Sequence, residues 1–241
     1  MSATLFNWNL ERQQPGSRRA MVMLGRIAEA RPDVACLTEA SEDSVRDLGG
    51  HTVSLTGASW SSRRRDDERL VVLWSREPWR EVAPGGPLTD SGACLSAVTE
   101  TPLGALRLIG ICAPHHAASP VGRTDRAPMW SEQVAFWRGL EMVLRGADVA
   151  TPTVVVGDFN QFVPRIWGSK AASAAMFSAL ECLEIVTMGI IAGVGEPTID
   201  HVACSRGLAA MEVRGVSRFA EDGSALSDHF GVVVRLDRPG G

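Results

Sequence analysis

The chain contains no tyrosine and a single lysine, Lys170; every other basic residue is arginine. No phenolic hydroxyl is available for chemistry, and cationic contacts fall to guanidinium groups, which suit bidentate binding of oxyanions. The five cysteines (Cys36, Cys94, Cys112, Cys182 and Cys204) are scattered, with no CxxC pair and no zinc-type Cys/His spacing. At least four lie in apolar runs, where a reduced cysteine serves as a small core residue. A reducing, cytoplasmic setting is therefore expected. The first residues, Met1–Phe6, lack the basic and apolar regions of a signal peptide. No run approaches the ~18 apolar residues of a membrane span, so no membrane partner is expected. A strong basic surplus is also missing. With 24 basic and 28 acidic residues the net charge is −4, which weakens a pure nucleic-acid-binding role. An enzyme needs only a local positive groove, and a bound metal would add charge there.

What is present describes an ordinary globular chain. Its 241 residues, 45% hydrophobic and 22% charged, fit one domain over 1–241 with a sizeable core. Thr4–Asn9 reads as a strand. A helix capped by Ser17 follows, with Ala20, Leu24, Ile27 and Ala28 at helical spacing and Pro32 beyond its end. Strands are predicted over Val34–Thr38, Thr52–Leu55 and Leu70–Trp74, with a short helix over Glu42–Leu48. The charged stretch Ser59–Arg69 reads as an exposed loop. Ala93–Glu100 and Ala105–Ala113 form a predicted hairpin. Helices are expected over Ala127–Arg145 and Ala171–Leu183. Thr153–Val156 is a β-branched run suited to a strand buried on both faces, and Thr198–Cys204 and Phe230–Leu236 are the last strands expected. Hairpins mixed with helix-linked strands favour two packed sheets flanked by helices over a simple βαβ repeat.

Polar residues punctuate the ends of these apolar runs. Asp158 and Asn160 follow Val154-Val155-Val156 and flank Phe159. On an extended chain, residues two apart face one side, so a carboxylate and an amide would project together. They could position or deprotonate a water and bind phosphate oxygen; the same Gly-Asp-x-Asn pattern is also good turn chemistry. Glu39 ends its strand where a buried carboxylate needs a partner or a metal, unless it simply opens a loop. Asn9 and Glu11, with Asn7 on the same parity, could complete an oxygen shell for a hard cation, or Glu11-Arg12 could open a solvated loop. Asp200-His201 and Asp228-His229 are two acid–imidazole pairs. A carboxylate commonly fixes a histidine tautomer, so Asp200 could orient His229 while Asp228 binds metal, leaving His201 structural. His115, Arg123 and Arg126 could grip a phosphate, whereas His116 reads as solvated.

In this order, Asn9, Glu39, Asp158/Asn160, Asp200 and Asp228/His229 resemble the endonuclease/exonuclease/phosphatase, or deoxyribonuclease-I-like, superfamily. The most specific pieces are Gly157-Asp158-Phe159-Asn160 and Ser227-Asp228-His229. The resemblance implies an α/β (α+β) fold, a four-layer α/β/β/α sandwich of two mixed sheets, and Mg²⁺- or Mn²⁺-dependent phosphoester hydrolysis. It implies Glu39 as principal metal ligand, with Asn9, Glu11 and Asp228 in support. Asp158 would position or deprotonate the attacking water, Asn160 would orient phosphate and water, and His229, held by Asp200, would stabilise the transition state. One departure stands out. Cys112-Ala113-Pro114-His115 lies where abasic-site enzymes of this group carry Tyr-x-Pro-Asn, and Cys112 cannot supply a phenolic hydroxyl. Two activities follow as expectations: a nuclease, with DNA as the expected partner and Arg63 joining His115, Arg123 and Arg126 in substrate binding, or a hydrolase of small phosphoesters such as phosphosugars, lipid head groups or nucleotides. A monomer is expected.

Overall fold

Along the first strand, Ser2–Asn9 (β1), side chains alternate between two destinations. Ala3 and Leu5 join a core cluster shared by two sheets, whereas Phe6 and Trp8 join a second cluster with Met23 and Ile27 of the first helix. The period of two that sorts residues onto opposite sheet faces thus fixes the strand's place between two layers. Asn7, on the inner parity, donates from Nδ2 to the Gly157 carbonyl of the opposite sheet (3.0 Å). Asn9 continues that parity at the open end of the sandwich.

The computed structural model describes residues 1–57, 65–85, 92–119, 127–146 and 150–238. After β1 come α1 (Arg18–Ala30), β2 (Val34–Ser41), α2 (Glu42–Arg46), β3 (His51–Ser54), β4 (Glu68–Ser75), β5 (Arg80–Pro84), β6 (Cys94–Thr101) and β7 (Gly104–Cys112). The second half holds α3 (Ser131–Gly146), β8 (Thr153–Asp158), α4 (Lys170–Ala179), β9 (Leu183–Ile185), β10 (Ile190–Ile191), β11 (Glu196–Pro197), β12 (Asp200–Ser205), β13 (Ala209–Val216) and β14 (Gly231–Asp237). One six-stranded sheet runs β13-β14-β1-β2-β4-β3 and the other β5-β6-β7-β8-β12-β9. Both are mixed, since β1–β2 and β7–β8 pair in parallel within otherwise antiparallel ladders. Helix α1 covers the outer face of the first sheet, and α3 and α4 lie outside the second, where Phe136, Trp137 and Met176 extend the shared core. The result is the four-layer α/β/β/α sandwich. Full burial of side chains such as Trp8, Phe6 and Trp137 contributes about 1.5–3 kcal/mol each.

Local signals set most element ends. Ser17 caps α1 by accepting from the Ala20 amide (3.2 Å), as its position predicts. Helix α3 starts at Ser131 rather than Ala127, because Trp130 adopts a left-handed backbone with φ 70°. Helix α4 stops at Ala179, and Leu183, predicted as helical, opens β9 instead. Two edge strands, β5 and β13, escape the sequence pattern. Their side chains are exposed or half-buried on both faces, so no apolar alternation marks them.

The charged stretch expected to be an exposed loop is corrected over its described part. Glu68 is buried and begins β4. Its neighbours are held by specific partners: Ser41 Oγ to Asp67 (2.5 Å), Arg65 Nε to Asp67 (3.1 Å) and Arg69 to Glu42 (3.0 Å). Mutual pairing lets these charges leave solvent. Arg63, Arg123 and Arg126 lie outside the described residues.

Candidate active site

One end of both sheets collects the polar strand ends. The antiparallel register of β8 and β12 sets Asp158 directly opposite Asp200. Like charges in that relation repel, and both carboxylates are almost fully buried. His229, just ahead of β14, resolves the conflict: its Nδ1 lies 2.6 Å from Asp200 Oδ2. Ligand atoms of Asp158, Asp200 and His229 all fall within 4.8 Å of one another. Burial alone would lower the His229 pKa, but the charge and hydrogen bond of Asp200, helped by Asp158 and Asp228, push it up to about 10. Burial acts oppositely on Asp158, and with the Asp200 charge it outweighs His229 and raises the carboxyl to about 7.

The corner carrying His229 is pinned to β1. Ser227 Oγ donates to the Asn9 carbonyl (2.8 Å) and accepts from the His229 amide (3.1 Å), and Trp8 Nε1 donates to the His229 carbonyl (2.9 Å). Sequence inspection passes over Ser227 and Trp8 as positioning groups.

Asp158 and Asn160 do face one another, but through a turn rather than an extended chain. Strand β8 ends at Asp158, Phe159 points into the core, and Asn160 takes a left-handed φ of 50°. The Asn160 amide donates to Asp158 Oδ1 (2.8 Å), while its Nδ2 donates to the Ala113 carbonyl (2.8 Å) and to Asp158 Oδ2 (3.1 Å). Asn9 Nδ2 adds a further bond to Asp158 Oδ2 (3.2 Å), and Asn9 Oδ1 accepts the Glu11 amide (2.9 Å). Asn9 thus sits beside Asp158 as a positioning amide. Gly157 is obligatory beneath them: its φ is 143°, and a Cβ there would lie 1.8 Å from the Ile111 carbonyl oxygen.

A cleft of about 210 Å³ opens over this group, lined among others by Glu11, Arg12, Glu39, Cys112, His115 and Asp228. Glu39, Glu11, Arg12 and Asn160 all have positive φ, a clustering of backbone strain typical of functional sites. Glu39 is not alone, as its expected role would leave it. Arg12 Nε lies 2.8 Å from Glu39 Oε2 and 3.2 Å from Glu68 Oε1. Arg12, which reads from sequence as the start of a solvated loop, is therefore built into the site. Glu11 has a raised pKa, through partial desolvation and then through Asp228. The Asp228 charge makes Glu11 costlier to ionise, and both residues line the cleft.

Cys112 is buried and its thiol pKa is driven well above the ordinary value, chiefly by desolvation. It offers neither a hydroxyl nor a thiolate. His115, exposed at the cleft, accepts the Ala117 amide on Nδ1 (3.2 Å), which leaves the proton on Nε2; burial, then His116 and Arg12, lower its pKa. His201 is fully buried between Thr187 and the Gln161 carbonyl (Nε2···O 2.9 Å), and burial lowers it to about 4, the structural part expected of it.

The sequence profile of the Endonuclease/Exonuclease/phosphatase family matches residues 6–229. The chain belongs to this family. A search of curated protein sequences gave no match. Solved structures with the same fold include D. rerio TDP2 complexed with single-strand DNA product (15% identity, 98% of this chain and 99% of that one, TM-score 0.71). They also include the 3′ phosphatase NExo from Neisseria bound to product DNA hairpin (17%, 98% and 99%, 0.72) and an AP endonuclease from Archaeoglobus fulgidus (17%, 96% and 98%, 0.69). Family membership makes this chain a phosphoester hydrolase of a divalent-metal-dependent class, and its buried Asp158–Asp200–His229 group has the spacing to hold a cation. Among the described residues, no helix is long and apolar enough to cross a membrane.

Proposed function

We propose that the chain is a metal-dependent phosphodiesterase that cuts nucleic acid, with DNA as the preferred substrate. The observation that carries this reading is the Asp200–His229–Asp158 relay set beside a rim of oxygen donors. Because Asp200 keeps His229 protonated, the positive charge between the two buried acids is supplied by the imidazolium. Glu39, Glu11 and Asp228, with Asn9 behind them, line the cleft beside this group and would be the donors that hold the metal. These are oxygen ligands, which suit Mg²⁺ or Mn²⁺ rather than a soft metal. A cation bound there would neutralise phosphate charge.

The residues of the chain divide the remaining work. Asp158, with its pKa near 7, accepts a proton from the attacking water at neutral pH. Asn9 and Asn160 hold its carboxylate in place. His229 donates from Nε2 to a phosphoryl oxygen as charge grows there in the transition state. Asp200, bound to Nδ1, holds the imidazolium in orientation and keeps it charged. His115 presents an Nε2–H donor from the opposite wall.

A diester needs room on both sides of the scissile phosphate. A second cleft of about 300 Å³, lined by Phe162, Arg218 and Phe230, shares Asp228 and His229 with the first. The DNA-bound structures of the same fold agree with a polymer substrate. The modest volume of each cleft favours a second reading, a hydrolase of small phosphoesters. Digestion of plasmid and oligonucleotides with Mg²⁺ or Mn²⁺ tests the first, and a phosphatase panel tests the second. A metal-binding preparation that cuts neither DNA nor RNA overturns the nuclease reading. Monomeric, cytoplasmic action as one domain over 1–241 completes the proposal.

A further inference from the structure

Beyond the cleft wall at His115, a line of aromatic rings reaches the surface. His115 and His116 lie edge to face with centroids 5.8 Å apart. His116 in turn meets Trp130 (5.7 Å) and Trp167 (5.3 Å), and the two indoles are 5.2 Å apart. Trp167 is 56% exposed, and the chain neighbours Ile166 of Trp167 and Met129 of Trp130 are exposed as well, at 63% and 64%. Large apolar groups at a surface are normally dispersed; a contiguous set beside a cleft marks a binding surface.

The cluster is rigidly built. The Trp130 amide donates to the His116 carbonyl (2.8 Å). Gly168, with φ 97°, brings its backbone against the Trp130 ring so closely that a Cβ would lie 2.8 Å from the indole. Arg165 donates to the Gly168 carbonyl (3.0 Å), tying the loop that carries Trp167. Three segments, around His116, Trp130 and Trp167, are thus locked to one another, so the exposed indole is held in place before any ligand arrives. Such preorganisation lowers the ordering cost of stacking.

We infer that Trp167, backed by Trp130 and His116, is a stacking platform for an unpaired nucleobase of the strand whose phosphate occupies the cleft. This rests on the nuclease reading and deepens it. One exposed indole, a neighbouring phosphate-handling site and His115 between them match a nucleotide chain: a base on the ring of Trp167, phosphate in the cleft. A base can lie flat on Trp167 only if it is unstacked, so the substrate class is a single strand or a frayed end.

The test compares two fluorescently labelled ligands by anisotropy with EDTA present: a short thymidylate chain, and a chain of equal length whose sugars carry no base. The wild type is expected to bind the thymidylate chain more tightly. Trp167→Ala should weaken that binding roughly 5- to 150-fold, the effect of losing one base–aromatic stack, and leave the base-free chain little changed. Trp167→Phe should restore most of the loss. Phe177→Ala, an exposed aromatic on α4, serves as control, and unchanged melting of each variant excludes misfolding. If Trp167→Ala binds thymidylate as the wild type does, the platform is overturned while the nuclease reading stands. Equal loss for both chains would mean sugar stacking and also overturn it. A wild type that binds neither chain overturns platform and nucleic-acid reading together. Base-dependent, Trp167-dependent binding without cleavage supports the platform and removes only the hydrolysis.

Discussion

Replacing Asp200 by asparagine isolates the charge behind His229. The substitution keeps the size of the side chain and an oxygen that can accept from Nδ1, so the 2.6 Å contact can survive in lengthened form. What disappears is the negative charge that overcomes burial. In the wild type the imidazole is pushed up to about 10, so it is protonated throughout the neutral range. Without that charge, burial is opposed by Asp158 and Asp228 alone, and the pKa falls back toward the ordinary 6.5. For a full return to 6.5, ~10% of the enzyme carries the proton at about pH 7.5 and ~1% at about pH 8.5. The rate deficit from protonation alone then reaches at most ~10-fold at the first pH and ~100-fold at the second, about 1.4 and 2.7 kcal/mol of barrier. The assay is a pH–rate profile of oligonucleotide cleavage for both proteins at saturating metal. The alkaline limb should move from near 10 down toward 6.5, and the wild-type-to-variant ratio should grow with pH, by up to about tenfold per unit. A deficit that stays constant with pH would refute the argument, because Asp200 would then act through geometry alone.

Asp158→Asn should abolish most activity, by ~10²- to 10⁴-fold as expected for a lost general base, while flattening the pH dependence of stability. The folded-state pKa of Asp158 is raised from 3.8 to about 7, so the native state binds the proton more tightly than the unfolded state; stability falls as pH rises from 3.8 through 7, and melting curves of the variant across that window should lack that fall. His229 has the same sign in a higher window: its stabilisation is complete below 6.5 and is lost as pH rises to about 10, which melting between those values will show. Arg12→Ala removes the cation between Glu39 and Glu68. It should destabilise the metal-free protein by about 1–3 kcal/mol, less than a fully buried pair because Arg12 and Glu39 are partly exposed, and added Mn²⁺ should raise its melting temperature more than that of the wild type, as read by differential scanning fluorimetry. Gly157→Ala, whose Cβ would meet the Ile111 carbonyl at 1.8 Å, should cost more than ~4 kcal/mol or prevent folding, as read by chemical denaturation.

The sandwich was legible where burial imposes a period. Thr4–Asn9 alternates because one face meets α1 and the other the second sheet, and Val154-Val155-Val156 is continuous because both faces are covered. Edge strands carry no such constraint, which is why Ala209–Val216 shows no strand pattern of its own although it pairs with β14. At the site, Asp158, Asp200 and His229 were legible as polar ends of apolar runs. Arg12, Glu68 and the Arg65–Asp67 pair were not: a charge run looks solvated from sequence, and the partners that let these charges leave water come from distant segments. The turn at Asn160 was hidden for a related reason. Gly-Asp-x-Asn describes both an extended projection and a local turn, and here the turn aims the amide at Asp158.

The register of two strands accounts for the order of charges in the whole site. Pairing β8 with β12 so that Asp158 faces Asp200 would be unfavourable in an ordinary core, since each buried carboxylate raises the cost of ionising the other. A proton or a cation must intervene. His229 supplies it from the corner that Ser227 and Trp8 tie to β1, so the third charge is delivered by a different sheet from the two acids. Closing the sandwich therefore assembles the relay, and opening it separates the relay's parts. The Glu39–Arg12–Glu68 group follows the same rule, a guanidinium between two acids, but at a wetter position where Glu39 and the rim acids remain within reach of an incoming cation. On the proposed reading, a fixed positive charge deep in the site and a cation at its rim would flank the same cleft, and a phosphodiester lying between them would meet both as its own negative charge grows.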